Sequence, residues 1–491
     1  MAIKDEYLEK VIGQGDKYSR MLAEICAPTL SNRKEVEVIQ GGMNGVAVLR
    51  IPSDKMVVVH SIGGDPRQND LEKYSTSLVD RLVSGSAAFG VEPLAIADVI
   101  DCKEINKEVV STIGKSLADR ANYHNLSIMN GELAGLGKRV VVPANVSGTI
   151  VSLAKKGQFA PGTFTKGEIT YAVFDPHGKP VYINSDGVGT KCEFNERSGI
   201  WENSLFDSAA MKVDDSVKKG AQVKVLSDVA ETNKIAAMSR EFLYSLLLGA
   251  KNLSDRFGFD YIIQNENVGE RIQGYHPDAP SFNLSGSAVS VIDEELLRNP
   301  PRPKEEEYLI GIRGLPNPRS NGITDKRAAM VEMLGTGWHL TEIGKLFMNF
   351  LAEPSTIFYE LFTDLRKEDL GTSFYHMSGG AYKGKLAAPL AKEGLFVKIE
   401  NLFPTDFREL AIVGKRFNSA EIAYAKFPMG TEGFVTTSKP DDTLRHIRNY
   451  GYHLEGRVVG KLQKAENGRT GVELAGIKSS DGNNVYYSGK D

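Results

Sequence analysis

The chain alternates short β-branched runs with stretches whose apolar positions recur at helical spacing. From Gly90 to Asp101 the run GVEPLAIADVID predicts a strand, and Ile105, Val109, Ile113 and Leu117 predict the helix that follows. The same order returns at GAQVKVLSDVAE, Gly220 to Glu231, with Gly220 over Gly90, Asp228 over Asp98 and Val229 over Val99. Further on, SIMNGEL (Ser127 to Leu133) matches IIQNENV (Ile262 to Val268), pairing Glu132 with Glu266. SGTIVS (Ser147 to Ser152) then matches SGSAVS (Ser285 to Ser290). Three blocks in one order, offset by 130, 134 and 138 residues, point to an internal duplication.

The copies differ where chemistry is expected. The second opens on YINSDGVGTK, a strand end running into Asp186, Gly187, Val188, Gly189, Thr190 and Lys191. The corresponding KMVVVHSIGGDPRQ of the first keeps Gly63 and Gly64 but no lysine. Asp214 and Asp215 precede Gly220, where the first copy has Ser84 and Gly85 before Gly90. After RNPPRPKEEE, a Pro-rich charged stretch of the kind that separates domains, a third region has no counterpart upstream. It begins with the strand YLIGI, continues through GLPNPRSNGITDKR, and predicts long amphipathic helices from about 328 to 365. The loop FYHMSGGAYKGK and the strand patterns EGFVTT and GRVVGKL follow, so the coarse reading is mixed α/β.

Composition narrows the function classes. With 491 residues the chain is long enough for roughly three domains. It carries 59 Lys+Arg against 63 Asp+Glu and no like-charged block, which argues against a nucleic-acid or polybasic membrane partner. No apolar run approaches the roughly 20 residues that span a bilayer, and MAIKDEYLEK is not a signal peptide, so the expected location is cytoplasmic. Three widely spaced cysteines make neither a disulfide framework nor a Cys-based zinc site. The 49 glycines exceed the average share and indicate tight turns or close backbone approaches, phosphate being one candidate and ordinary loop content the other.

These motifs, in this order, resemble the aminoimidazole ribonucleotide synthetase superfamily: SDGVGTK (Ser185 to Lys191), the block from Asp215 to Gly220, the Glu132 and Glu266 motifs, RSNG (Arg319 to Gly322) and HMSGG (His376 to Gly380). The resemblance covers nearly the whole chain, and SDGVGTK is its most specific element. It implies an α/β (α+β) fold in which two tandem N-terminal synthetase-type α/β domains pair into an intrachain pseudo-dimeric β-barrel. One C-terminal α/β domain would cover the cleft. The implied boundaries are an N-terminal segment 1–37, a degenerate first copy 38–155, a phosphate-loop copy 165–300 and a C-terminal domain 305–491.

The resemblance also implies ATP and Mg2+. Lys191 would face the phosphates, with Gly187, Gly189 and Thr190 bringing backbone N–H groups close, although GVGTK lacks the spacing of a P-loop. Asp186, Asp215, Glu266 and Glu132 are hard oxygen ligands suited to Mg2+, each equally readable alone as a solvated turn or strand-end carboxylate. His376 is the histidine placed to donate to a developing oxyanion or move a proton, with Lys191 and Asp186 completing the catalytic set. Ser320, Asn321, Gly379 and Gly380 would hold phosphate or ribose. The Gly-rich segment with Gly41, Gly42 and Gly45 would cross over to the second copy. Arg319 stands where the family has His, and Pro428 where it has Asn. Arg319 could clamp a phosphate bidentately but cannot exchange a proton.

The implied function is an ATP-dependent ligase of purine biosynthesis that cyclises formylglycinamidine ribonucleotide to aminoimidazole ribonucleotide. A formylglycinamidine ribonucleotide synthetase drawing ammonia from a partner chain is the second reading, and a non-catalytic ATP-binding regulatory protein the third. The expected partner is a small-molecule nucleotide substrate, with the chain a monomer containing an internal pseudo-dimer, or a weak homo-oligomer.

Overall fold

In the computed structural model the duplication is visible as two six-stranded sheets built on the same plan. The structure describes residues 17–34, 36–43, 46–417, 419–451 and 453–489. They divide into two bodies. The first comprises the residues up to Leu297 apart from Val217–Gly220, and the second runs from Arg298.

In the first body, β1 (Glu37–Met43), β2 (Val46–Arg50), β3 (Lys55–Gly63), α1 (Leu71–Phe89), β4 (Glu92–Cys102), α2 (Lys107–Tyr123), β5 (Ser127–Gly135) and β6 (Ala144–Lys155) come first. Then follow β7 (Gly162–Lys166), β8 (Ile169–Phe174), β9 (Val181–Gly187), α3 (Lys191–Ser198), α4 (Asn203–Val217), β10 (Gln222–Thr232), α5 (Arg240–Phe257), β11 (Asp260–Asn267) and β12 (Phe282–Val291). The sheet orders are β5-β4-β6-β3-β8-β7 and β11-β10-β12-β9-β2-β1. Each sheet therefore borrows a hairpin. β1–β2, at the start of the first copy, pairs through β2 with β9 of the second, and β7–β8 pairs through β8 with β3 of the first. Sequence blocks divide at about 160, but backbone pairing does not, because the hairpins satisfy the open edges of β9 and β3.

Period-two alternation decides which face meets which. Ile96 and Ile100 of β4 face α1 and α2, packing with Leu78, Leu82, Ile113 and Leu117. Ala95 and Ala97 point the other way, into a core shared with Val225, Ile183 and Val289 of the second sheet. That core gives way along the strands to hydroxyls. Ser61 bonds Thr149 and Ser227 at 2.7 and 2.6 Å, and Ser147 meets Ser285 at 2.6 Å. Beyond the hydroxyls come Asp101, Glu231, Asn145 and Asn283, all buried. Mixed exchange at this end ties the halves: Val141 N–H donates to Arg271 O and Gln273 N–H to Arg139 O, both 2.9 Å.

The second body is built on a seven-stranded sheet of order Ser373–His376, Gly433–Thr437, Tyr308–Arg313, Glu455–Lys464, Leu395–Ile399, Gly471–Lys478 and Asn484–Tyr487. The long helices expected over 328–365 are three short ones, Ile323–Leu334, Glu342–Leu351 and Tyr359–Lys367. Gly335 at φ 79° ends the first, and Pro354 stands between the second and third. No helix among the described residues is long and apolar enough to cross a membrane. Cys26, Cys102 and Cys192 are buried free thiols.

Candidate active site

The strand β9 delivers Asp186 and Gly187 to its C-terminal end, and the chain turns through Gly189, at φ 64°, into α3. Glycine is needed there because a side chain strains that conformation. A Cβ on Gly189 would in any case approach Leu136 of the first copy to 3.3 Å. Behind the loop, Arg139 of the first copy reaches Glu196 of α3 at 2.7 Å and donates to Phe282 O, while Phe282 N–H donates back to Glu196. Arg139 and Glu196 are both buried, so this network holds the turn after β5 against the helix after the glycine loop. The N–H end of α3 and the loop are thus presented on a support contributed by both copies.

Across from the loop stands Asp101, at the end of β4. Its Oδ2 accepts from Asn283 and its Oδ1 is buried without a partner. Burial, with Asp186 adding to it, pushes Asp101 up to about 7 against the pull of Asn283 and Arg139. Glu231 is its counterpart on β10, with Oε2 likewise unpartnered. Burial and the neighbouring Asp101 raise Glu231 to about 8, opposed by Arg271 and Asn145. Asp101 and Glu231 were not among the sequence candidates, although each is the acidic residue that closes its repeated strand block.

The four carboxylates expected as one metal set are not one group. Glu132 lies on β5 with Val99 as its register partner, and Gly187 would bring a Cβ to 3.5 Å from Val99. Glu132 and Asp186 therefore belong to one neighbourhood. Glu266 belongs to another: Arg81 bonds both its oxygens, at 3.1 and 3.2 Å, and a Cβ on Gly63 would meet it at 3.6 Å. Asp215 belongs to neither. It adds its charge beside Tyr182, whose hydroxyl burial and that charge push up, and Tyr182 lies four residues from Asp186, about 13 Å down the strand. The pairing of Glu132 with Glu266 also shifts. A register irregularity in β5 at Met129 sets Glu132 opposite Val99, the level of Gln264 opposite Val229, whereas Glu266 sits opposite Glu231.

Among the described residues no three His, Cys, Asp or Glu side chains converge as a ready metal cage. Mg2+ is commonly held by one or two carboxylates together with waters and substrate phosphates. The unpartnered Asp101 Oδ1 beside Asp186 fits that donor set. Lys191, expected to face the phosphates, has a fully buried side chain whose Nζ lies 2.5 Å from Asp207 of α4. A lysine at the first position of a helix packed on its neighbour is drawn into the core by that carboxylate. Gly41, on β1, lies against β5, where a Cβ would touch Met129 O at 3.3 Å. Gly42 follows it in β1, whereas Gly45 falls outside the described residues. The Gly-rich segment thus runs beside the strand that carries Glu132, in the sheet of the second copy.

In the second body the RSNG and HMSGG motifs meet. Arg319, at φ 47°, donates to Thr356 O at 3.0 Å and approaches His376 Nδ1 at 3.3 Å. Since a guanidinium only donates, Nδ1 is the acceptor and Nε2 carries the ring proton. Glu432 lies 3.5 Å from Arg319 and accepts from Gly314 N–H and Asn317. Arg319 is only 2 % exposed. It is therefore a holder of His376, and the expectation of a phosphate clamp does not fit its burial. Asn321 donates to Met377 O at 3.4 Å, and its Oδ1 and the Ser320 hydroxyl are buried without partners. Gly379 and Gly380 follow His376 into a π-helical turn, Tyr382–Ala387, a form often found at functional positions. Gly322 has no room for a side chain, since a Cβ would overlap the Phe427 ring at 2.0 Å.

Fold and motifs together define a duplicated α/β protein with synthetase-type loops. Residues 44–154 match the family described as AIR synthase related protein, N-terminal domain. Among curated proteins, the phosphoribosylformylglycinamidine cyclo-ligase of Bacillus pumilus is 26% identical over 296 residues, covering 59% of this chain and 83% of the relative. That of Methanococcus vannielii is 25% identical over 317 residues, covering 62% and 82%. Among solved structures, the thiamine monophosphate kinase of Aquifex aeolicus is 12% identical with a TM-score of 0.37, over 61% of this chain and 89% of that one. Phosphoribosylformylglycinamidine synthase II of Thermotoga maritima is 13% identical with a TM-score of 0.37, over 60% and 42%. The chain belongs to the AIR synthase-like superfamily.

Proposed function

We propose that this chain is an ATP-dependent ligase that activates an amide oxygen of formylglycinamidine ribonucleotide and closes it to aminoimidazole ribonucleotide. The two sheets of the first body are read as the halves of an intrachain pseudo-dimeric barrel, with 38–155 and 165–300 as the duplicated units and 305–491 as the C-terminal domain. The observation that carries the reading is the glycine turn at the head of α3, facing a buried carboxylate with an unpartnered oxygen. The names of the curated relatives supply the reaction.

In this reading the loop through Gly187, with the backbone N–H groups of Gly189 and Thr190 and the end of α3, receives the triphosphate, while the Gly187 N–H donates to Asp186. Asp186 and Asp101, with Glu132 beside them, would hold Mg2+, which when bound neutralises charge on the phosphates. Lys191 acts by position: its pairing with Asp207 anchors the first turn of α3 to α4. His376, with Nε2 as its N–H, donates to the substrate oxygen as charge develops there. Arg319 keeps that tautomer and orientation.

The tandem copies in one chain favour one second reading, a formylglycinamidine ribonucleotide synthetase supplied with ammonia by a partner. Purified protein should hydrolyse ATP in the presence of Mg2+ only when formylglycinamidine ribonucleotide is added, and Asp186→Asn should abolish that turnover. Turnover with the formylglycinamide substrate plus ammonia instead supports the second reading. Tight ATP binding without turnover on either substrate overturns both and leaves a regulatory nucleotide binder.

A further inference from the structure

The duplicated halves present carboxylates at two corresponding positions. At one, Asp101 faces Asp186 and the glycine loop of the second copy. At the other, Glu266, the register partner of Glu231, faces Gly63 of the first. Ile62 of β3, opposite Gly148, takes the place that Asp186 holds opposite Gly286, and no lysine follows. The second position is filled by the protein itself. Arg81 of α1 donates through Nη1 to Gly63 O at 2.5 Å and Gly64 O at 3.1 Å, and through Nη2 to both oxygens of Glu266. Tyr74 lies on Gly64 so closely that a Cβ there would stand 2.7 Å from the ring. Arg271, held by Asn145 at 3.0 Å, stacks its guanidinium 3.7 Å from the same ring.

Two features say that this position is a cation site rather than a chance ion pair. Glu231 is 1 % exposed, and its Oε2 has no hydrogen-bond partner. The Gly63 and Gly64 loop turns carbonyl oxygens toward the guanidinium, an all-oxygen donor set of carboxylates and carbonyls that suits a hard divalent ion. The buried Glu266 carboxylate in such a place calls for a positive charge, and the chain supplies one on a tether.

We infer that Glu231, Glu266 and the Gly63–Gly64 carbonyls form a latent divalent-cation site that Arg81 keeps closed, so that only the Asp101–Asp186 position takes a metal from solution. The inference rests on the proposed function for what the open position binds. The closed one is argued from its own residues.

The test counts Mn2+ bound to the full chain by electron paramagnetic resonance, using Mn2+ alone. R81A should bind about one Mn2+ more per chain than the unaltered protein, and R81A combined with E266Q should lose it again. R81K, which keeps a tethered charge, should bind no more than the unaltered protein. Equal counts for R81A and the unaltered protein overturn the inference. If R81A does not fold, recovery of folded protein on refolding with millimolar Mn2+ supports it, and failure to recover overturns it. An unaltered protein that binds no Mn2+ in the presence of a non-hydrolysable ATP analogue speaks against the proposed function, while the difference between R81A and its parent still decides the inference.

Discussion

Asp98 and Asp228 occupy equivalent places on β4 and β10, yet their surroundings differ. Asp228 receives Ser208 and Tyr261 at 2.6 Å each and a buried ion pair from Lys212. Asp98 is equally buried but both its oxygens lack partners, because Leu78 and Leu82 stand in the helix positions of Ser208 and Lys212. Burial pushes Asp98 up to about 7. The folded protein therefore keeps a proton that the unfolded chain releases near its ordinary value of 3.8, so stability from this group is full below that value and is lost as pH rises through about 7. Asp98→Asn should raise stability at pH 8 by an amount on the order of a few kcal/mol and flatten its fall between pH 4 and 7. Urea denaturation across that range checks it, and an unchanged slope would count against a protonated Asp98.

At the scale of elements, the buried pair of Lys191 and Asp207 joins α3 to α4, and the turn into α3 depends on that join. Lys191→Ala removes the cation of a fully buried ion pair with Asp207, a loss of about 3–5 kcal/mol. Lys191→Met with Asp207→Asn or Leu should recover most of it in thermal denaturation, as apolar replacements of buried pairs do. A phosphate-contacting lysine would behave otherwise, with activity lost and stability kept. Much of this level was legible beforehand. Strand blocks ending in Asp101 and Glu231, the strand end at YINSDG and the helix over Ile113 and Leu117 follow from period and β-branching. The register of β5 was not, because one extra residue at Met129 changes pairing without changing the apolar pattern.

At the scale of the molecule, the exchanged hairpins make each half of the first body incomplete. A fragment of residues 1–160 has β3 without its β8 neighbour and carries a β2 whose partner β9 lies in the other fragment. It also exposes half of the core shared by Val57, Ala97, Val225 and Val289. Expressed alone, 1–160 or 161–300 should aggregate or bind hydrophobic dye, whereas co-expression should return a soluble complex. Soluble, cooperatively unfolding single fragments would show that the hairpin exchange contributes little.

The order of residues alone determined the duplication and the strand and helix periods, since these depend on local spacing and on which side chains can pack. Tertiary structure decided which carboxylates stand together, that Lys191 is an internal ion pair, that Arg319 serves His376 and that Arg81 fills the first copy's loop. Those outcomes depend on contacts between residues far apart in the chain, such as Asp101 with Asn283 and Arg81 with Glu266, where burial and charge pairing act only after the sheets have met.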